Sequence, residues 1–510
     1  MKKLISALII FILILTCGKL LLGKNNEKKE KTEYKDTFII AQKSDAKTLD
    51  PQKSIDSVSN KIINTIFDTL VKMDENLNIQ PSLATSWERI DENTTIFHLR
   101  KNVKFHNGDI LTSEDVKYSL EKGATSPQTA YLLDMIKEVE IVDKDTVKII
   151  TDKPFGPLLR HLSTTPASIV NKKIAIQMGN DFFNHPIGTG QFKLKEWIPG
   201  DKVILSAFDE NWAGIPTIKT LIFKNIPEVS NRMISLETGE VDAAFDIGIM
   251  DRQALLKSSK LSLIEVEAPS QLYLAFDQTN PILKNLKVRQ AISYAIDNGS
   301  IADAVFKGAA IPANSSIPTA IKGHLDSLNQ YNQNIEIAKS LLKEAGFPNG
   351  FNMDLWVNDE STRVDMCIII QDQLKQIGIN VNVKVFEWGT YLTKTLEHNK
   401  PLYLFSWNCT TVDSDSVLYP MFHSSQRNGS ANRSNYVNET VDILLEKARH
   451  SIDEEQRIKL YDEAQEIIQN ELPHYVIVYP KLNIGINNSV KNLIMLKNGY
   501  IDISKTYILK

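Results

Sequence analysis

The sequence has little cysteine and little net charge. Its 510 residues include only three cysteines, and the formal net charge is −4. So small a charge argues against nucleic acid or an acidic membrane surface as a partner. Hydrophobic residues make up 42% of the chain and charged residues 24%, which is ordinary for a globular protein with a sizeable core.

Motifs of catalysis and metal binding are also missing. No His-Glu-x-x-His, Cys-x-x-Cys or Gly-x-Ser-x-Gly segment occurs. The segment Gly188-Thr189-Gly190 lacks the third glycine of a phosphate-binding loop, and it is better interpreted as a tight turn before a strand. Asp413 and Asp415 resemble an acid/base pair, but carboxylates two residues apart are more often loop or ligand contacts. We therefore predict a protein that is not an enzyme and has no cofactor and no metal site.

Long apolar runs are confined to the N-terminus, and the rest of the chain is expected to be soluble. Lys2 and Lys3 precede a nearly continuous apolar stretch, residues 4–15, and Cys17 follows directly. This order is typical of an export signal, so residues 1–16 are predicted to be a signal peptide. The cysteine stands where a bacterial lipoprotein is cleaved and acylated, although Thr16 is larger than the residue usually found there. A plain secretory signal cut elsewhere is the alternative.

The chain after the signal begins with a charged segment. Residues 24–36 are poor in apolar side chains, so residues 17–36 are predicted to be a flexible tether behind a lipid on Cys17. The other two cysteines, Cys367 and Cys409, could form a disulfide in an exported protein. Two buried thiols are the favoured alternative, because Cys367 lies in an apolar helical stretch.

The body of the chain shows mixed helix and strand periodicity, which predicts α/β layers with helices packed on sheets. Apolar residues spaced three and four apart predict helices, and strict alternation predicts a half-buried strand. The predicted segments are a strand over 37–41, a hairpin over 140–151, a strand over 379–385, and helices over 334–345, 364–377, 439–450 and 453–472.

Many short segments, in order along nearly the whole chain, resemble one protein family. They include Leu49-Asp50-Pro51, residues 81–87, residues 97–108, Pro186-Ile187-Gly188-Thr189-Gly190, residues 211–216, residues 236–242, residues 288–297 and residues 373–379. These segments are similar to those of the bacterial extracellular solute-binding proteins of family 5. Family members are receptors for dipeptides, oligopeptides, nickel, haem and glutathione that serve ATP-driven importers.

The resemblance implies a two-lobed periplasmic-binding-protein fold of type II, in the large class with an extra subdomain. It further implies a hinge between the lobes and a ligand enclosed by hinge closure. Lobe I is expected to comprise residues 37–270 and 480–510, with an inserted subdomain at about 56–185. Lobe II is expected to comprise residues 271–479.

The resemblance also implies ligand contacts in the loop that begins at Trp407. Peptide receptors of the family hold the peptide ammonium with an aspartate just after this tryptophan, where the present chain has Thr410. Together with Thr411, Asp413 and Asp415, the pattern looks closer to the glutathione-binding branch. Either aspartate could replace the missing carboxylate, because a buried ammonium needs an opposite charge. The alternative is that both aspartates only shape the loop.

Further candidate ligand contacts are aromatic, cationic or close to the hinge. Trp388 and Tyr391 could line the pocket, with core packing as the alternative. Arg433 or Arg363 could hold a ligand carboxylate, with a salt bridge as the alternative. The last two candidates are Gln271 and Tyr273, where the chain enters lobe II.

Taken together, the sequence predicts an exported substrate-binding lipoprotein of an ABC importer. It is expected in the periplasm or at the cell surface, attached to the membrane only through the lipid on Cys17. The expected ligand is a di- or oligopeptide or a glutathione-like solute, and the expected partners are the permease subunits with their ATPases. A monomer is expected. The alternatives are a nickel-chelate or haem receptor of the same fold and a surface lipoprotein without a transport role.

Overall fold

The computed structural model describes residues 33–326, 328, 331–427 and 431–510. The strands are β1 Thr37–Gln42, β2 Val71–Met73, β3 Ile79–Pro81, β4 Ala84–Arg89, β5 Thr94–Leu99, β6 Ile136–Asp143, β7 Thr146–Thr151, β8 Phe192–Ile198, β9 Lys202–Ala207, β10 Thr220–Asn225, β11 Ala243–Phe245, β12 Leu261–Glu267, β13 Ser270–Ala275, β14 Ala310–Pro312, β15 Phe351–Asn358, β16 Ile379–Phe386, β17 Leu402–Asn408, β18 His474–Asn487, β19 Val490–Lys491, β20 Ile494–Met495, β21 Ile501–Asp502 and β22 Tyr507–Ile508. The α-helices are Ser57–Ile66, Ser113–Thr125, Leu158–Leu162, Lys172–Met178, Val229–Glu237, Ile249–Leu256, Leu286–Ala295, Asn298–Ile301, Ile335–Glu344, Ser361–Lys375, Trp388–Lys394, Asp415–Phe422, Glu439–His450 and Glu454–Glu471.

One long strand, β18, joins two sheets into the strand order β16-β15-β17-β13-β18-β11-β1-β10-β9-β8. Its first half pairs with β13, and its second half pairs with β12 and β11. The chain thus crosses between the sheets twice, once between β12 and β13 and once within β18. We call the part with β1 and β8–β12 lobe I, and the part with β13 and β15–β17 lobe II. The crossings fall near the predicted boundaries at 270 and 480, whose positions remain predictions.

The sheet of lobe I is built around a central strand, β1, that has parallel neighbours. β1 pairs in parallel with both β10 and β11, and its Phe38 and Ile40 are fully buried. The predicted turn before β8 is confirmed, and it needs glycine for space. A Cβ on Gly188 would lie 2.1 Å from the carbonyl oxygen of Ile66, and one on Gly190 would lie 2.5 Å from that of Thr65. The backbone at this turn therefore touches the end of helix Ser57–Ile66.

The inserted segment of lobe I forms a separate antiparallel sheet in the order β4-β5-β7-β6. The predicted hairpin over 140–151 is confirmed, because β6 and β7 pair in antiparallel register. This sheet has a core of its own, to which Phe97, Val147 and Ile149 contribute fully buried side chains. The small hairpin of β2 and β3 lies beside it, and its Met73 packs in the core of lobe II. The inserted segment therefore contacts both lobes.

Lobe II follows the predicted periodicities closely. The predicted helices over 334–345, 364–377, 439–450 and 453–472 are confirmed within a few residues of their bounds. The predicted strand over 379–385 is β16, which forms the outer edge of the sheet and pairs in parallel with β15. Cys367 and Cys409 are buried free thiols, which decides against a disulfide between them. Burial raises the pKa of Cys409 to about 12, so this thiol is held protonated.

The described chain is fixed to the fold from its first residues. Tyr34 forms a β-bridge with Leu509, and the Lys35 ammonium lies 2.8 Å from the Asp242 carboxylate. The predicted signal peptide, Cys17 and most of the predicted tether lie outside the described residues. Among the residues that are described, no helix is both long enough and apolar enough to cross a membrane.

Candidate functional site

The strands of lobe II end along one edge, which faces lobe I. β15, β16 and β17 run parallel and finish at Asn358, Phe386 and Asn408. Asn408 pairs with Ser270, the first residue of the strand that arrives from lobe I. In open α/β sheets, ligands bind in the crevice outside the carboxyl ends of the strands. The candidate site is therefore the cleft between this edge and lobe I.

A cavity of about 80 Å³ occupies this cleft and has walls from both lobes. Its lobe II wall is the start of the loop after β17, with Asn408, Cys409 and exposed Thr410. The lobe I wall includes Ser54, Ser57, Asn60, Tyr131, Thr165, Asn498 and Tyr500. The Tyr131 and Thr410 side chains interact across the cleft: burial raises the pKa of Tyr131, and the Thr410 side chain lowers it. Every lining residue is uncharged at neutral pH, and hydroxyl and amide groups dominate the polar part.

Asp413 and Asp415, the predicted partners of a ligand ammonium, are already paired with arginines. Asp413 lies 2.6 Å from Arg457, and Asp415 lies 2.8 Å from Arg449. Both carboxylates are buried, and Asp415 also accepts a hydrogen bond from the Tyr461 hydroxyl. Burial alone would raise the pKa of Asp413, but Arg457 holds this pKa below its usual range. These ion pairs favour the alternative that both aspartates shape the loop, and their contact with a ligand stays a prediction.

The two hydroxyl residues of the loop have different environments. Thr410 is exposed at the cleft, whereas Thr411 is fully buried. The Thr411 hydroxyl has no hydrogen-bond partner within the described part of the chain. Thr410 therefore remains the predicted contact in this loop, and Thr411 lies behind it.

The three predicted aromatic contacts also differ in how far their side chains are exposed. Trp388 is 42% exposed and stacks on Phe405 at 6.2 Å between ring centroids, so it can meet a ligand. Tyr391 is fully buried, and its hydroxyl donates to the Leu404 carbonyl, which matches the core alternative. Trp407 is half-buried and donates from Nε1 to the Ser416 carbonyl at 2.8 Å, so it fixes the loop from within.

The two candidate arginines also differ in position. Arg363 lies at the cleft edge, where it donates to Ser406 at 2.8 Å and to Asn358 at 3.1 Å and pairs with half-exposed Glu360. Arg433 donates to the Leu392 carbonyl and the Thr395 hydroxyl and lies 4.6 Å over the Phe405 ring. It thereby satisfies the carbonyl end of helix Trp388–Lys394. Arg363 remains a predicted ligand contact, and Arg433 is better explained as a helix cap.

The two hinge-side candidates are buried on β13. Gln271 is fully buried, and its amide Nε2 contacts the Met421 sulfur at 3.5 Å. Tyr273 is 3% exposed and packs on the His474 ring at 4.6 Å. Both side chains are therefore buried inside lobe II in this conformation, and their contact with a ligand stays a prediction.

Several cleft residues escaped the sequence analysis, notably Tyr131, Asn498 and Tyr500. They come from two segments more than 360 residues apart in the chain, and nothing in their local sequence marks them as cleft residues. The resemblance gave lobe II positions only. No group of three or more His, Cys, Asp or Glu side chains suited to a metal ion occurs within the described ranges.

Comparison with known proteins gives concordant results. The family described as bacterial extracellular solute-binding proteins, family 5 Middle, matches residues 78–429. The chain is 29% identical to the dipeptide-binding protein of Escherichia coli K12 over 448 residues, covering 81% of this chain and 83% of the relative. It is 28% identical to the glutathione-binding protein GsiB of Salmonella choleraesuis over 456 residues, covering 87% and 89%. The structure of HbpA2 from Haemophilus parasuis superposes with a TM-score of 0.85 at 29% identity, covering 93% of this chain and all of HbpA2.

Proposed function

The chain belongs to family 5 of the bacterial extracellular solute-binding proteins, and on this premise we propose that it captures short peptides or glutathione-like solutes in the inter-lobe cleft. It is the substrate-binding component of an ABC importer, and the proposed solute is delivered to the permease. The proposal rests mainly on one observation: hydroxyl and amide groups from both lobes converge on one cavity, joined by the Tyr131–Thr410 contact.

The chemistry of the cavity suits a peptide backbone. Amide N–H and C=O groups need donors and acceptors, and the hydroxyls of Tyr131, Thr165 and Thr410 can act as either. A cavity of about 80 Å³ holds only part of a peptide, so the ligand must extend along the cleft or the lobes must separate. Exposed Trp388 and the mostly buried Arg363 lie at the lobe II edge, where they could contact a side chain and a carboxylate.

The cavity is less suited to a fixed ammonium. In the part of the chain that the structure describes, no carboxylate lines it, and Asp413 and Asp415 are neutralised by arginines. The α-ammonium of a bound solute would therefore stay in contact with water and would not pair with a carboxylate of the cavity. This feature favours glutathione-like solutes, whose amino group lies on a side branch, over simple dipeptides.

Native mass spectrometry of the protein purified from its cells without the signal segment tests this function. We expect an additional mass that corresponds to a di- to pentapeptide or to glutathione and that is lost on denaturation. Isothermal titration of glutathione and a peptide pool into the emptied protein then gives the affinity. A bound haem or nickel chelate, with no response to peptides or glutathione, would contradict the proposal in favour of the alternative receptor class.

We also propose that Cys17 carries the membrane anchor. The first described contacts, at Tyr34 and Lys35, leave the residues between Cys17 and Glu33 to span the distance from the lipid. Replacing Cys17 with serine should release the protein into the soluble fraction. The matched control Thr16→Gly, which leaves a smaller residue before the cysteine, should keep the protein in the membrane. Release of both variants, or of neither, would contradict the anchor.

A further inference from the structure

The inserted segment of lobe I meets lobe II a second time, away from the cleft cavity. The Gly156 N–H donates to the Arg449 carbonyl at 2.9 Å, and the His450 ring lies 2.7 Å from the Pro154 carbonyl oxygen. A Cβ on Gly156 would lie 2.2 Å from the Ser451 carbonyl oxygen. The lobes therefore approach so closely here that only glycine fits.

A cavity of about 460 Å³ lies beside this contact, and its wall carries four cations and one carboxylate, that of Glu454. Lobe I contributes Arg89, Arg160 and the half-buried ring of Trp87, and lobe II contributes Lys322 and Arg457. The cavity shares no lining residue with the cleft cavity. Its volume is within the range of small-molecule pockets, roughly 300–1,000 Å³.

Two of these cations have carboxylate partners, and two have none. Lys322 pairs with Glu454 at 2.9 Å, and Arg457 pairs with Asp413 at 2.6 Å. Arg89 donates to the backbone carbonyls of Glu92 at 3.0 Å and Phe155 at 3.3 Å.

Arg160 donates to the Leu77 carbonyl and contacts the Met73 sulfur at 3.5 Å. Among the described residues, no carboxylate lies within ion-pair distance of Arg89 or Arg160. Both guanidinium groups therefore keep their full charge at the cavity wall, with N–H donors to spare.

The positive charges disfavour one another when the cavity is empty. Burial lowers the pKa of Arg89, Asp91 on a nearby turn opposes this effect, and Arg457 lowers it further. An oxyanion between the guanidinium groups would remove this repulsion and could accept bidentate hydrogen bonds. Trp87, stacked on Phe97 at 6.5 Å, offers an aromatic wall for an apolar part of the same ligand.

We propose that this cavity, which we call the arginine pocket (Arg89, Arg160, Lys322 and Arg457), is a second binding site, for a small oxyanion with an aromatic or apolar body. The bound group would be a phosphate or a carboxylate. Because the walls come from both lobes, the anion binds the closed arrangement and favours closure. By thermodynamic linkage it then raises the affinity of the cleft for its solute.

Phenyl phosphate is the probe, titrated calorimetrically into the protein at constant ionic strength. We expect measurable binding that is stronger than that of inorganic phosphate, because Trp87 adds an apolar contact. Arg89→Gln and Arg160→Gln should each weaken binding about tenfold or more, since a charged hydrogen bond is lost. Lys384→Gln, which removes an exposed charge on β16, should leave it unchanged. Equal binding by all four proteins, or no binding by the wild type, would overturn the proposal.

Gly156→Ala tests the need for both walls without changing any charge. The φ angle of Gly156 lies outside the left-handed region, so alanine fits the backbone. Its Cβ would lie 2.2 Å from the Ser451 carbonyl oxygen and 2.5 Å from Arg457 Cδ, so both the Ser451 backbone and the Arg457 side chain of lobe II must move away. We expect this variant to remain folded and to bind phenyl phosphate as weakly as the arginine variants. Gly389→Ala, whose Cβ would meet only the flexible Glu387 side chain at 3.1 Å, is the control. Full affinity in Gly156→Ala would show that one lobe suffices and would overturn the link to closure.

Discussion

The two ends of the loop over residues 408–415 differ in their chemistry. Its start, with Thr410, lines an uncharged cavity and touches Tyr131 of lobe I. Its end, with Asp413 and Asp415, is buried and held by two arginines. The comparison teaches that a polar loop of a binding protein serves two purposes. One end is available to a solute, and the other is fixed to the helices behind it, which keeps the first end in place.

The largest effect is expected where the buried end of the loop is broken. Asp413→Asn leaves the Arg457 guanidinium buried without a counter-charge, so unfolding should require about 3–5 kcal/mol less free energy. Urea unfolding at pH 7 measures this loss. Glu454→Gln is the matched control, because its partner Lys322 is exposed, and the change should cost about 0–1 kcal/mol. Equal losses in the two variants would contradict the difference between the buried and the exposed pair.

Lowering the pH gives a second test of the Asp413–Arg457 ion pair. The pKa of Asp413 lies below its usual range in the folded protein, so its stabilising effect is present above the unfolded pKa of 3.8 and is lost as the pH falls through the folded pKa. The wild type should therefore approach the stability of Asp413→Asn below pH 3.8. A difference between the two proteins that stays constant from pH 7 to pH 2 would contradict an ionised aspartate.

A smaller effect is expected at the aromatic side chains. Trp388→Ala should weaken solute binding by about 1–2 kcal/mol and change stability little, because the side chain is 42% exposed. Tyr391→Phe should lower stability by about 1 kcal/mol through its lost hydrogen bond to Leu404 and leave binding unchanged. Titration calorimetry and urea unfolding on both variants check this prediction. A loss of binding in Tyr391→Phe alone would reverse the assignment.

The smallest effect is expected at the hydroxyl contact across the cleft. Thr410→Ala removes one neutral hydrogen-bonding group, so solute binding should weaken by about 0.5–1.5 kcal/mol, with unchanged stability. Tyr131→Phe removes the opposite partner and should give a loss of similar size. The double variant should cost less than the sum of the two, because the groups contact each other. Strict additivity would indicate that the two hydroxyls act independently.

Periodicity predicted the fold of lobe II well, because its helices and β16 carry strong one-sided patterns. The helix over 439–450 was predicted at its observed bounds. The site was predicted less well, since its contacts join residues distant in the sequence. Asp413 and Asp415 are neutralised by residues 44 and 34 positions further along, a pairing that no local pattern shows. Likewise, Tyr391 lies next to a cleft residue but faces the core, which depends on the packing of a short helix.

Hydrogen–deuterium exchange on the emptied protein, with and without glutathione or a peptide pool, tests the central claim that a solute is held between the lobes. The account predicts slower amide exchange in both residues 130–133 of lobe I and residues 408–411 of lobe II when the solute binds. Protection confined to one lobe, or binding without protection at either segment, would contradict a ligand enclosed in this cleft.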